Sequence, residues 1–230
     1  MQITWLGHAS FRLEIESAVL LIDPWFTGNP VFPAVARGAA IKGATHILLT
    51  HAHGDHIGDT LAIAKELSIP VVGQYDLVTF LEKRDGLTVI GYNKGGTVDL
   101  GGAKVTMVNA CHSSSLGGEA SPIAAGSEAG YMIAGEGHTL YLSGDTDIMA
   151  DMEWMGDYHK PDIGILSCGG HFTMDMKRAA YAAKRYFKFQ TLIPCHYRTF
   201  PLLEQSAELL VQALPGVNVI EPQVMVPITL

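Results

Sequence analysis

Apolar and polar residues alternate near the start of the chain, as they do along β-strands. Phe11, Leu13 and Ile15 alternate with charged residues. This period of two predicts a half-buried strand, which follows a first strand at residues 2–6. Further apolar runs predict the remaining strands, at residues 18–24, 45–50, 70–73, 87–92, 103–110, 130–145 (as a hairpin), 162–167, 191–196, 217–220 and 223–228.

Other segments carry apolar residues at helical spacing. The first two are Ile57–Ala64, in an element that Pro70 ends, and residues 75–83. The third is residues 174–188, with Thr173 as the predicted N-cap and Asp175 in the first turn. The fourth is Leu203–Leu214, which stops at Pro215-Gly216. Residues 29–43 and 116–130 are predicted loops, the first with one helical turn. Strands and helices alternate in both halves without a linker-like stretch. The sequence therefore predicts one α/β domain over residues 1–230, with two sheets and helices outside them.

Composition narrows the class of protein. Apolar residues make up 48% of the chain, enough for a large core, and the net charge is −8. A negative charge argues against a nucleic-acid partner, which would favour a basic patch. Cys111, Cys168 and Cys195 are widely spaced without a CxxC pair, which suits a reducing compartment. With neither a signal peptide nor a long apolar run in the sequence, we expect a cytoplasmic protein without a membrane partner.

The segment THAHGDHIG, residues 50–58, concentrates metal-binding side chains directly after a predicted buried strand. His51 and His53 can face one point because alternate residues of an extended segment point the same way. After a turn at Gly54, Asp55 and His56 can reach a second point. The spacing suits two metal ions better than one, since a single zinc takes about four ligands. The alternative is a polar turn in which Asp55 caps a helix and the histidines are solvated.

Three more metal-binding residues follow predicted strands: His112, Asp145 and His196. Residues at strand ends of a rigid sheet converge where loops meet. Each has a structural alternative, because Asp145 could cap a helix and either histidine could be a hydrogen-bonded core residue. Together with the first segment, the three favour one metal site.

The order His51-x-His53-x-Asp55-His56, then His112, Asp145 and His196, resembles the metallo-β-lactamase superfamily. The segments WLGHASF, LIDPWF, HSSS, SGDTD, GGHFTM and PCHY resemble, more narrowly, a group of small bacterial and archaeal metal-dependent hydrolases akin to the ascorbate-6-phosphate lactonase branch. The resemblance implies a four-layer αββα sandwich of two mixed β-sheets flanked by helices, with the site at one edge. The chain lacks the appended domains of the RNA-processing branches and the signal peptide of secreted β-lactamases.

The resemblance also implies a dinuclear metal centre. It puts one ion on His51, His53 and His112, a second on Asp55, His56 and His196, and Asp145 between them. We expect zinc, with manganese, iron and nickel as alternatives. Two such ions can hold one hydroxide, formed from water whose pKa falls to about 7, and Asp55 would orient it as well as bind metal.

Other polar residues are candidates for supporting roles. His8, in a Gly-His-Ala turn, is a candidate catalytic residue that binds an anion or donates a proton, with a structural histidine as the alternative. Asp23 is a candidate partner for a metal-binding histidine, or simply part of an Asp-Pro turn. His171 and Arg198 are candidates to contact an anionic substrate group. His46, His138 and His159 are interpreted as structural or solvated.

The sequence thus predicts a metal-dependent hydrolase of a small molecule, which could be a lactone, an amide or a phosphoester. A phosphodiesterase acting on nucleotides or short nucleic acids is the first alternative. A metal-binding sensor or scaffold without catalysis is an alternative of another class, which the full ligand set disfavours. The expected partner is a small-molecule substrate, and a homo-oligomer is left open.

Overall fold

A computed structural model describes residues 1–117 and 122–230. The strands are β1 (Gln2–Gly7), β2 (Ser10–Ile15), β3 (Ala18–Ile22), β4 (His46–Leu48), β5 (Val71–Gln74), β6 (Val89–Tyr92), β7 (Thr97–Leu100), β8 (Ala103–Asn109), β9 (Ser115–Leu116), β10 (Ile123–Ala124), β11 (Ala129–Gly135), β12 (His138–Leu142), β13 (Ile163–Ser167), β14 (Thr191–Cys195), β15 (Asn218–Val219) and β16 (Pro227–Thr229). The helices are α1 (Arg37–Ile41), α2 (Gly54–Ile57), α3 (Thr60–Leu67), α4 (Tyr75–Asp85), α5 (Met152–His159), α6 (Met176–Tyr186) and α7 (Glu208–Ala213).

Two mixed sheets contain most of these strands. The first sheet has the order β16-β1-β2-β3-β4-β5-β6, and the second has the order β15-β14-β13-β12-β11-β8-β7. In the first sheet β3 to β6 are parallel neighbours, and in the second β12 to β15 are. The other neighbours in each sheet pair antiparallel. Parallel strands end at the same edge, so each sheet presents several strand ends to one place.

Strand β3 shows how the layers are built. Leu20 and Ile22 belong to a core shared with residues of the second sheet, whereas Leu21 belongs to a core shared with α3 and α4. Successive side chains of a strand point to opposite faces, so one sheet face packs on the other sheet and the opposite face packs on helices. Core residues of α5 and α6 cover the second sheet. These layers confirm the predicted αββα sandwich. The assignment of residues 1–230 to one domain stays a prediction.

Several predicted helices differ in the structure. The helix predicted through Ile57–Ala64 is two helices, because α2 ends at Ile57, with Gly58 as its C-cap, and α3 begins at Thr60. The predicted N-cap Thr173 is wrong: Asp175 caps α6, and its carboxylate accepts a hydrogen bond from the backbone N–H of Arg178. The helix predicted over Leu203–Leu214 is only α7.

Other elements were not predicted. Strand β7 occupies residues between two glycine-rich turns, and α5 follows the Asp145 loop. The predicted loop at 29–43 does contain the helical turn expected there, a short 3₁₀ turn running into α1. The predicted loop at 116–130 contains β10 and ends in β11, and its residues 118–121 lie outside the described residues. Among the described residues, the model contains no helix long and apolar enough to span a membrane.

Candidate metal centre

The candidate site lies where strands of both sheets end. From the first sheet, Asp23 follows β3 and the His51 to His56 segment follows β4; from the second, His112 follows β8, Asp145 follows β12 and His196 follows β14. The structure brings the seven predicted metal-binding side chains into overlapping groups whose donor atoms lie within 4.8 Å of one another. Residues far apart in the sequence therefore meet because the strands that carry them end at one edge.

The backbone at this edge is strained. His8, Asp23 and His196 have φ values of 55°, 43° and 57°, in the left-handed region that disfavours residues with a side chain. Each such residue costs about 1–3 kcal/mol, which the surrounding structure must offset. The His196 N–H donates to the His8 carbonyl over 3.0 Å, which ties two of these turns together. Strain of this kind concentrates at functional sites.

Two glycines let the backbone approach the site closely. A Cβ atom on Gly169 would lie 1.8 Å from the His196 carbonyl oxygen, and one on Gly144 would lie 2.4 Å from the Ala129 carbonyl oxygen. Any side chain at Gly169 would displace the turn that carries His196. Gly144 likewise sets the position of the next residue, Asp145.

We call His51, His53 and His112 the open cluster, because two of its three members are only partly buried. The His51 Nε2 and His53 Nδ1 atoms are 2.9 Å apart. Burial, and next the charge of His56, hold the pKa of His51 well below its usual value. Burial also lowers the pKa values of His53 and His112. All three imidazoles are therefore neutral, which is the form that binds metal.

We call Asp55, His56 and His196 the closed cluster, because both histidines are fully buried and only Asp55 is partly exposed, at 31% of its side chain. Their donor atoms and a ring nitrogen of His8 lie within 4.8 Å of one another. Burial opposes ionisation of Asp55, but His56 and His8 hold its pKa well below its usual value. This carboxylate is therefore ionised.

Asp23 and Thr50 orient the histidines of both clusters. The His56 Nδ1–H donates to Asp23 Oδ2 over 2.8 Å, which leaves Nε2 facing the site. The Thr50 hydroxyl donates to Asp23 Oδ2 over 2.5 Å and thus accepts from His51 Nδ1 at 3.0 Å. The backbone N–H of Thr50 donates to the other Asp23 oxygen over 2.8 Å. One buried carboxylate thereby sets the ring orientation of two candidate ligands.

Asp145 lies between the two clusters. Its Oδ2 atom is 3.2 Å from His56 Nε2, 3.0 Å from His196 Nε2 and 3.7 Å from His112 Nε2. Burial opposes ionisation, but His196 and His56 hold the pKa of Asp145 well below its usual value. In turn Asp145 and Asp23 outweigh burial and raise the pKa of His56 well above its usual value. The buried carboxylates of Asp145 and Asp23 thus favour a positive charge beside them.

The donor set fits divalent metal ions. Among the described residues, His56 Nε2, Asp145 Oδ1 and His196 Nδ1 are buried atoms without a hydrogen-bond partner. Leaving such atoms unpaired costs about 1–3 kcal/mol each, and metal coordination would satisfy at least the first two. Imidazole and carboxylate ligands suit zinc, manganese, iron or nickel.

The other predicted site residues take different positions. His171 is exposed, with its ring centroid 4.5 Å from that of Phe172. Arg198 pairs with Glu221 and stacks over Tyr197, so its guanidinium is already engaged. His46, His138 and His159, interpreted as structural or solvated, contact Thr45, Asp162 and Trp154 respectively.

Sequence reasoning missed four residues that surround the ligands. They are Thr50, which bridges Asp23 and His51, Thr199, whose hydroxyl is 2.8 Å from His8 Nδ1, and Trp25 and Phe200, whose rings are 5.3 and 5.7 Å from that of His8. Each lies within three residues of a predicted site residue, which was the available signal. Threonine and aromatic residues carry no metal-ligand pattern, so the sequence alone did not select them.

A cavity of about 360 Å³ adjoins the open cluster. His53 forms part of its wall, and its other lining includes Ile57, Leu116 and Pro122. The side of the site that faces this cavity is therefore mostly apolar, with one candidate ligand exposed to it.

The fold and this centre together define a metallo-hydrolase of the metallo-β-lactamase type. The family model for the beta-lactamase superfamily domain matches residues 19–197, and the chain belongs to this superfamily. A UPF0173 metal-dependent hydrolase from Cereibacter sphaeroides is 73% identical over 228 residues, which are 99% of each chain. A second, from Paracoccus denitrificans, is 70% identical over 230 residues, which are 100% of each. The chain is thus a member of this family of metal-dependent hydrolases, and the predicted enzyme class is confirmed.

A solved structure agrees with this assignment. Igni18, a metallo hydrolase from the archaeon Ignicoccus hospitalis, is 29% identical with a TM-score of 0.86, covering 100% of this chain and 98% of its own. The narrower resemblance to ascorbate-6-phosphate lactonases stays a prediction, because none of these three proteins carries that name.

Proposed function

We infer that this hydrolase uses two divalent metal ions, zinc first among the candidates, to cleave a lactone, amide or phosphoester bond in a small molecule. The observation that carries the proposal is the grouping of six candidate ligands around a seventh, Asp145. Its Oδ2 atom lies within 3.7 Å of histidines from both clusters. A single ion with about four ligands would leave about three of the seven side chains without a role in metal binding.

Each cluster would hold one ion and Asp145 would contribute to both. Bound ions of this kind supply a water that ionises near neutral pH and polarise the substrate's carbonyl or phosphoryl oxygen. Asp23 and Thr50 keep the His51 and His56 rings oriented toward the centre. Asp55, ionised and partly exposed, is the carboxylate best placed to accept a hydrogen bond from the attacking water.

The shape of the site supports a small substrate. The cavity of about 360 Å³ beside His53 falls at the lower end of the roughly 300–1,000 Å³ typical of small-molecule pockets. Its apolar lining suits the carbon skeleton of a substrate whose reactive group lies at the ions. The net charge of −8 and this lining favour a small molecule over a nucleic acid.

The test combines metal analysis with a substrate panel. Elemental analysis of gently purified protein should approach two ions per chain. The panel should contain lactones, amides, phosphomonoesters and phosphodiesters, each assayed with metal-loaded and chelator-treated protein. Metal-dependent turnover of one class identifies the bond. A stable content of one ion with full activity contradicts the two-ion centre, and selective turnover of nucleotide diesters favours the phosphodiesterase alternative.

A further inference from the structure

Two buried side chains, Thr199 and His8, and the partly exposed Asp55 form a hydrogen-bonded series that ends on the closed cluster. Thr199 Oγ1 is 2.8 Å from His8 Nδ1, and His8 Nε2 is 3.0 Å from Asp55 Oδ2. Thr199 and His8 are 6% and 0% exposed. Thr199 follows the His196 turn, and His8 lies in the turn between β1 and β2. The series therefore joins the two sheets at the metal centre.

The direction of these hydrogen bonds follows from donor counting. A carboxylate that binds metal can only accept hydrogen bonds, so the 3.0 Å contact with Asp55 places an N–H on His8 Nε2. A neutral imidazole carries one N–H, so its Nδ1 accepts from the Thr199 hydroxyl. The competing acceptor for that hydroxyl, the Tyr197 carbonyl, is farther away at 3.3 Å. The series thus runs from Thr199 through His8 to Asp55.

The surroundings of His8 favour a role through Asp55 over a direct contact with substrate. Its ring centroid lies 3.8 Å from that of His196, and the rings of Trp25 and Phe200 approach it edge-on. The side chain is fully buried and both ring nitrogens are engaged. A general acid would need one nitrogen open to the leaving group.

We propose that His8 and Thr199 are positioning residues, which hold Asp55 in a hydrogen bond through Oδ2 and so fix the orientation of its carboxylate toward the metal centre. This rests on the proposed function, in which Asp55 binds the second ion. A carboxylate with one oxygen restrained has one orientation toward the metal instead of several. Partners of this kind typically contribute 10- to 100-fold to metal affinity or activity, so we expect an effect of about that size.

Four variants test the proposal. His8→Ala removes the donor, whereas His8→Gln keeps an N–H at the place of Nε2 and binds metal poorly. Thr199→Val removes the hydroxyl, and Thr199→Ser keeps it. The zinc affinity of each metal-depleted protein is measured by competition with a chromophoric chelator, together with zinc stoichiometry at saturation, melting temperature, kcat and KM.

We expect the zinc affinity to fall about 10- to 100-fold in His8→Ala and up to about tenfold in Thr199→Val. His8→Gln and Thr199→Ser should retain most of it, with saturation stoichiometry unchanged in all four. In the His8→Gln background Thr199→Val should have little further effect, because the amide lacks a counterpart of Nδ1. The loss in turnover should fall on kcat and leave KM unchanged.

Four outcomes overturn the proposal. An equal loss of zinc stoichiometry in His8→Ala and His8→Gln makes His8 a metal ligand. Unchanged zinc affinity with reduced kcat/KM makes it a substrate contact, and lower melting temperatures alone make it structural. If the wild-type protein holds one ion while the zinc affinities of the variants follow the expected order, only the two-ion centre is contradicted. Equal affinities of all variants at two ions per chain contradict only the positioning role.

Discussion

The open and closed clusters use similar ligands in different surroundings. In the open cluster, His53 is partly exposed and forms part of the wall of the cavity, and the His112 side chain is 16% exposed. In the closed cluster, His56 and His196 are buried, and His56 is held by Asp23. One cluster is therefore organised by the protein before any ion binds, while the other keeps a side toward solvent and substrate.

This difference suggests that the two clusters have different roles in the centre. A ligand set whose rotamers are fixed by hydrogen bonds binds metal with less loss of side-chain entropy. A ligand set that borders a cavity leaves room for substrate, as catalytic metal sites require. Asp145 contacts histidines of both clusters, so it couples the ordered cluster to the accessible one.

Removing the carboxylate of Asp145, which both clusters share, should weaken metal binding at both clusters and so remove the difference between them. Asp145→Asn takes a negative charge from between two proposed cations. We expect metal content to fall at both clusters and hydrolysis to drop by more than the roughly 100-fold cost of losing an indirect partner. Elemental analysis and turnover of the best panel substrate measure this.

Asp147→Asn is the matched control for that variant. Asp147 is two residues away and pairs with Arg178 on the surface. It should keep both ions and normal turnover. If Asp145→Asn behaves like this control, Asp145 has no role between the metals.

Truncating one histidine in each cluster should separate their contributions to stability. In metal-free protein, His56→Ala leaves Asp23 and Asp145 buried without their shared partner, which should cost about 3–5 kcal/mol. His53→Ala removes a partly exposed ring and should cost less than about 1 kcal/mol. Urea unfolding of chelator-treated proteins gives both values. Equal losses would show that the two clusters are equally ordered without metal.

Replacing the carboxylate that orients His56 should weaken the closed cluster more than the open cluster, because Asp23 contacts His56 directly and His51 only through Thr50. Asp23→Asn suits the left-handed backbone at φ 43°, since asparagine tolerates that region, but weakens the bond to His56 Nδ1. We expect one ion per chain to bind about 10- to 100-fold more weakly and the affinity for the other ion to fall less. Zinc titrations resolve the two events.

A second aspartate–histidine pair provides the control for Asp23→Asn. Asp162 contacts His138 Nδ1 at 2.6 Å in the hairpin region, outside the candidate centre. Asp162→Asn should leave both zinc affinities unchanged. If it weakens zinc binding as much as Asp23→Asn does, the effect is a general loss of stability.

Chelation of the unmodified protein should reveal the smallest difference between the clusters, which is the order in which their ions leave. The open cluster is the more accessible, so its ion should leave first under a limiting chelator, and activity should disappear with that first ion. Stopped-flow chelation with elemental analysis of intermediates measures the order. Simultaneous loss of both ions would mean that Asp145 couples the clusters too strongly for them to differ.

The sequence named the candidate metal ligands that the structure groups together, whereas it did not select most of the residues that orient them. His51, His53, Asp55 and His56 are close in sequence, and His112, Asp145 and His196 follow apolar strands, so local pattern and the family resemblance sufficed to name them. The contacts of His8 with Asp55 and Thr199 join residues up to 191 positions apart. Such contacts depend on how the sheets pack, which no local pattern records.

The helices and strands were likewise predictable only where local sequence patterns are strong. Strong apolar runs predicted most strands, while α5 and α7 depended on tertiary context. Helix α5 has no side-chain cap, and α7 begins only at Glu208 although the apolar spacing starts at Leu203. The Thr173 prediction failed because Asp175, a stronger cap two residues later, accepts the helix N–H.

The order of the ligands along the chain has a consequence for biosynthesis. His51 to His56 emerge from the ribosome long before His196, an interval on the order of 10 s at about 5–20 residues per second. During that interval the N-terminal sheet lacks the strand ends that complete the centre. The full ligand set first exists when β14 has joined the second sheet. Until then a metal ion meets only part of the candidate ligand set.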